Sequence, residues 1–159
     1  IRDRGTVGGR FDPQGPAGQF IPGLEPLEGE IVIEKRMPNA FKNTQLHETL
    51  QALGHLDLIV CGFMSHSSVS TTVRRAKDYG YRCTLVEDAS ATRDLAFKDG
   101  VIPAAQIHQC EMAVMADNFA CVAPTRQPDL RLWHARPAAG RNPMGGSRSN
   151  SGYPQRRAE

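Results

Sequence analysis

The 159-residue chain has no apolar run near the roughly 18 residues that a membrane-crossing helix needs, so no membrane partner is expected. It also lacks a basic-then-apolar opening of the kind that directs export, and a cytoplasmic location is expected. With Ile1 in place of a starting Met, translation is expected to begin elsewhere. Cysteine is sparse: Cys61, Cys83, Cys110 and Cys121 stand far apart with no C-x-x-C pair, which argues against a disulfide framework or a thiolate zinc site. Two of them lie inside apolar runs and are predicted to be buried, reduced thiols. The histidines (His47, His55, His66, His108, His134) form no Asp-x-His pattern with a second His nearby, so no metal is expected. Aromatic residues make up only 6% of the chain. What is abundant is turn chemistry, Gly 15 and Pro 11, in a chain whose 40% hydrophobic and 23% charged residues match an ordinary globular protein of about one domain.

Charge is unevenly placed. The net charge of +2 combines an acidic stretch over residues 1–125 with a basic one over 126–159, where seven Arg face only Asp129 and Glu159. That last stretch holds four Pro and four Gly and shows no apolar periodicity, so it is predicted to be a disordered Arg-rich tail. Trp133 and Tyr153 are too few to interleave its arginines as a base-stacking platform, and no nucleic-acid partner is expected.

The rest divides in two. Residues 1–30 are a Gly/Pro-rich loop, and regular structure is predicted over 31–125. Ile31-Val32-Ile33 reads as a short strand ending near Lys35. Leu46, Leu50 and Leu53 mark a helical face, with Asn43 or Thr44 to cap it and Gly54 to end it. Leu58-Ile59-Val60-Cys61-Gly62 is uniform enough to read as a buried parallel strand. Val69, Val73 and Ala76 give a second helix that stops at Gly80. Cys83-Thr84-Leu85-Val86 is the next strand, followed by an Ala-rich turn. Ile107, Cys110 and Val114 form the face of a third helix begun by Pro103, and Phe119-Ala120-Cys121-Val122 a last strand. Such alternation predicts an α/β fold with a parallel sheet, whose ligands bind beyond the carboxyl ends of the strands.

One of those ends is the segment Gly62-Phe63-Met64-Ser65-His66-Ser67-Ser68-Val69, running from a strand into a helix. Free N–H groups and the positive helix end suit a nucleophile whose oxyanion is held by main-chain donors. Ser65, Ser67 and Ser68 read equally as plain helix N-caps.

Several ordered segments carry a resemblance. Val32-Ile33-Glu34-Lys35-Arg36-Met37-Pro38-Asn39-Ala40-Phe41 with Thr44 and Leu46 is one. Val60-Cys61-Gly62-Phe63-Met64-Ser65-His66 and Gly80-Tyr81-Arg82 follow. Glu87-Asp88-Ala89-Ser90-Ala91-Thr92-Arg93-Asp94-Leu95 comes next, then Ile107-His108 with Met115-Ala116-Asp117-Asn118-Phe119-Ala120. From about Phe11 to Thr125 the chain resembles the isochorismatase-like cysteine hydrolases, a family that includes nicotinamidase-related amidohydrolases. The resemblance implies a three-layer α/β/α sandwich, Rossmann-like, with a mainly parallel sheet. It also implies cofactor-free hydrolysis of a small amide or related C–N substrate in an assembly of identical subunits. The family's triad is Asp–Lys–Cys: the thiolate attacks a carbonyl carbon, Asp handles the proton, and Lys favours the thiolate; isochorismatases proper cleave a vinyl ether instead. Lys35 stands at the lysine position. Met64 and Ser68 N–H groups match the oxyanion donors, with a cis peptide at Phe63–Met64, and Phe41 is a candidate substrate-binding residue; His66, close to Ser68 in sequence, reads equally as a substrate contact and as a solvent-facing loop histidine.

Two departures stand against this pattern. Ser68 occupies the cysteine position, and a hydroxyl is far less acidic than a thiol of pKa ~8.5, so it needs a general base. Cys61, inside a strand, is not expected to replace it. The family's Asp follows a buried first strand that the chain lacks; Asp3 and Asp12 lie in the polar opening. Without that central strand, its two neighbours keep unpaired edges. The chain is therefore expected to fold poorly and to be impaired as a hydrolase. The rival expectation is a non-catalytic ligand-binding or assembly protein on the same fold.

Overall fold

The computed structural model describes residues 1–9 and 11–126, so all but the first residue of the predicted Arg-rich tail lies outside the described residues. The elements, in chain order, are β1 (Arg2–Asp3), β2 (Glu34–Lys35), α1 (Leu46–Leu53), β3 (Asp57–Phe63), a π-type turn (Ser65–Val69), α2 (Ser70–Asp78), β4 (Arg82–Ala91), β5 (Leu95–Phe97), β6 (Gly100–Ile102), α3 (Ala104–Asn118) and β7 (Cys121–Ala123). The fold is α/β. Strands β3, β4 and β7 form a parallel sheet in that order, β1 and β2 a second parallel pair, and β5 and β6 an antiparallel hairpin. Both β1 and β3 are edges: among the described residues no strand lies between the two parallel sheets.

Alternation along β4 sets the core. Cys83 and Leu85 are buried and meet Val73 and Ala76 of α2, Met112 and Met115 of α3, and Leu46 of α1 in one cluster. Helix α1 forms where the leucine spacing predicts it. The Thr44 hydroxyl accepts the Leu46 N–H at 3.3 Å, and Gly54 closes the helix at φ +69°, a conformation that costs glycine no Cβ clash.

Three expectations change. Strand β3 is not buried: Leu58 and Val60 pack against the core, while Ile59 is 64% and Phe63 53% exposed and Cys61 is exposed with them. A buried strand needs cover on both faces, and among the described residues the Ile59 face has none. Helix α3 buries Met112 and Met115, leaving Cys110 exposed and Val114 43% exposed. Apolar residues surround this helix, so periodicity alone could not choose its inner face. Finally, Ile31 and Val32 are 60% and 41% exposed, because β1 offers β2 a partner only two residues long. Part of the opening loop is thus a strand of the fold.

Candidate active site

Three carboxyl ends converge. β1 ends at Asp3 and β2 at Lys35, which face each other in register, and β3 runs directly into the Met64 turn. Lys35 is only 6% exposed. Its Nζ donates to Asp3 Oδ1 at 2.5 Å, to Met37 O at 3.1 Å and to Ser68 Oγ at 3.1 Å. An ammonium has three hydrogens and no lone pair, so all of its donors are used and the Ser68 oxygen is the acceptor. Among the described residues no side chain or carbonyl takes the Ser68 proton in turn.

The expected lack of a carboxylate beside this lysine is therefore corrected. Asp3 supplies one, set opposite Lys35 by the pairing of β1 with β2. Sequence reading passed over it because a two-residue polar strand carries no alternation to detect.

The turn that holds Ser68 is built from the main chain. Gly62 adopts φ +124° at an irregularity in β3, and the Phe63–Met64 peptide is cis, matching the expected position. The Met64 carbonyl accepts from both Ser67 N–H at 3.0 Å and Val69 N–H at 3.2 Å. No serine caps the helix here. Ser65 is fully buried and pairs with His108 Nδ1 at 3.1 Å, while Ser68 turns to Lys35. The N-cap reading of these serines gives way to two separate side-chain pairs.

An open cavity of about 970 Å³ lies over this turn, and Lys35, Met64, His66 and Ser68 line it. His66 Nδ1 is hydrogen-bonded to the Thr92 hydroxyl, which joins the turn to the loop after β4. Cys61 also lines the cavity, in contrast to the buried thiol predicted, because it sits on the uncovered face of β3. Phe41 does not line it. Its ring is buried against Tyr79 and Tyr81, with centroids 5.2 and 5.9 Å away, so it serves the core. Burial pushes the Tyr81 hydroxyl above its ordinary pKa, and that hydroxyl pairs with His47 Nδ1 at 2.9 Å.

A buried cation thus rests on a serine hydroxyl at the carboxyl ends of parallel strands. The isochorismatase domain family model matches residues 1–127. The chain belongs to the isochorismatase family. It is 41% identical over 121 residues to the isochorismatase family protein YddQ of Bacillus subtilis, covering 76% of this chain and 67% of the relative. Over 125 residues it is 30% identical to a streptothricin hydrolase of Streptomyces noursei, covering 77% of this chain and 45% of that protein. Among solved structures, an isochorismatase from Pseudomonas putida KT2440 superposes with a TM-score of 0.76 at 97% identity, over 77% of this chain and 63% of the other. The chain thus spans about half to two thirds of the length of these relatives. No described helix is long and apolar enough to cross a membrane.

Proposed function

We propose that this chain carries the site of a hydrolase for small amides or related C–N compounds, with position 68 as the nucleophile. The observation that carries the reading is the 3.1 Å contact between the buried Lys35 ammonium and Ser68 Oγ. A cation held there lowers the cost of negative charge on the attacking atom. The N–H groups of Met64 and Ser68 are the candidate donors to a developing oxyanion. Asp3 fixes the ammonium by accepting from Lys35 Nζ at 2.5 Å. Relatives named as hydrolases support the reaction class.

The serine limits the chemistry. A hydroxyl that only accepts a bond from Lys35 has no base to take its proton, and a positioned base contributes about 10²–10⁴-fold. Ser68→Cys restores a group that ionises near neutrality, and ammonia release from a small-amide panel is expected to rise on the order of 100-fold. No gain in either the parent or Ser68→Cys would remove the enzyme reading.

A second reading rests on the same unaccepted proton: the site binds its ligand without turning it over. It is distinguished by calorimetric binding of an amide with no product formed, whether residue 68 is Ser or Cys.

A further inference from the structure

Three residues of the Ser65–Val69 turn are each tied to a different part of the fold. Ser68 meets Lys35 at the end of β2, and His66 meets Thr92 beyond β4. Ser65 meets His108 of α3, whose Nδ1 lies 3.1 Å from its hydroxyl oxygen. The first two ties stand at the cavity, where His66 and Ser68 form part of the wall. The third lies behind it: neither Ser65 nor His108 lines the cavity, and Ser65 is fully buried.

A hydroxyl shut away from water keeps a partner or forfeits a hydrogen bond, so the Ser65–His108 pair fixes where the turn begins. Ser65 and Ser68 stand three residues apart in that one turn, and the Ser65 carbonyl accepts the Ser70 N–H just beyond it. A rotation at Ser65 is therefore passed on to Ser68. The Ser68–Lys35 contact, at 3.1 Å, is already near the long end of the hydrogen-bond range, so a small displacement of the turn breaks it.

We propose that His108 is a positioning residue for the reaction: through the Ser65 hydroxyl it holds the turn so that the side chain at position 68 stays against the Lys35 ammonium. The proposal rests on reading position 68 as the nucleophile. His108 lies outside the cavity and acts only through the turn. A cation within hydrogen-bond reach favours a thiolate, so the alignment can be read from the ionisation of a thiol placed at position 68.

The test uses the full chain carrying Ser68→Cys and follows alkylation of position 68 by iodoacetamide against pH. Mass spectrometry reads the reaction peptide by peptide, with the exposed Cys110 as internal reference. Adding His108→Phe is expected to raise the midpoint by about one pH unit, an about tenfold smaller thiolate fraction at neutral pH, with the reference unmoved. His108→Asn sets a carboxamide where Nδ1 stood, without a titrating ring, and is expected to restore the midpoint. Ser65→Ala deletes the hydroxyl and keeps the histidine; it is expected to match His108→Phe and replaces it if that variant does not fold. Asp3, Lys35, Arg36, Cys61, His66 and Arg93 share the cavity with position 68 and are unchanged in these variants. A lower urea unfolding midpoint with an unmoved alkylation profile marks a merely structural tie and overturns the proposal, as does a shift that His108→Asn leaves in place. Lys35→Ala separates the two claims. If it raises the alkylation midpoint and neither His108→Phe nor Ser65→Ala does, the positioning role fails and the nucleophile reading stands. If Ser68→Cys releases no ammonia from the amide panel, yet His108→Phe moves the profile, the hydrolase reading fails and the positioning of residue 68 stands.

Discussion

At the scale of single residues, the site depends on a few groups whose surroundings fix their behaviour. Lys35 makes three hydrogen bonds from a nearly dry position, so Lys35→Ala leaves both Asp3 and Ser68 without their partner. The expected loss is about 1–3 kcal/mol, read from urea unfolding, and the activity gained by Ser68→Cys should vanish in the double variant. An unchanged unfolding midpoint in Lys35→Ala would count against the contact. The cysteines divide by burial. Burial pushes the Cys83 thiol from 9.0 up to about 11, whereas Cys61 and Cys110 are exposed. Thiol titration with a disulfide reagent at pH 8 should therefore label Cys61 and Cys110 readily and reach Cys83 only on unfolding. Since the folded thiol has the raised value, its contribution to stability is full below pH 9.0 and is lost as pH rises towards 11.

At the scale of elements, β4 is the strand on which the larger sheet is assembled. Leu85 is fully buried between helices and strands, and Leu85→Ala is expected to destabilise by about 2–5 kcal/mol, measured by thermal or urea unfolding. A smaller latch joins the same strand to the end of the described chain. Asp88 accepts from the Thr125 N–H at 2.8 Å and its hydroxyl at 2.7 Å, and these bonds hold the carboxyl below its ordinary value of 3.8. A depressed carboxyl stabilises above its unfolded pKa and loses that contribution as pH falls through the folded value. Acid unfolding of Asp88→Asn should therefore depend less on pH below about 4 than that of the parent chain. Superimposable acid titrations would rule the latch out.

At the scale of the whole molecule, the notable feature is an open edge beside an uncovered face. Among the described residues β3 has a partner on one side only, and Ile59 and Phe63 stand exposed along it. Unpaired strand edges with apolar side chains associate with other chains. The chain is expected to form higher-order species and to melt without a sharp transition. Size-exclusion chromatography with light scattering and a melting curve test this together. A monodisperse sample with cooperative melting would contradict it, and Ile59→Lys should reduce association if the edge is responsible.

Local patterns along the sequence were enough to determine the α/β class, the Leu46 and Leu50 side of α1 (but not Leu53, which is 53% exposed) and the closing role of Gly54, while the resemblance implied the cis position before Met64 and the lysine and serine positions. Each depends on neighbours within one element or on a motif read in order, so the physics that makes it is written within a few residues. Tertiary structure alone decided the rest. Asp3 reaches Lys35 because two strands 32 residues apart in sequence lie side by side. Cys61 is exposed and Phe41 buried because cover comes from other elements, and a side chain's own hydropathy does not say which face those elements occupy. Ser65 and Ser68 chose partners across the fold over the helix end beside them: a half-buried histidine or a buried ammonium satisfies a hydroxyl that local geometry would otherwise have spent on a cap.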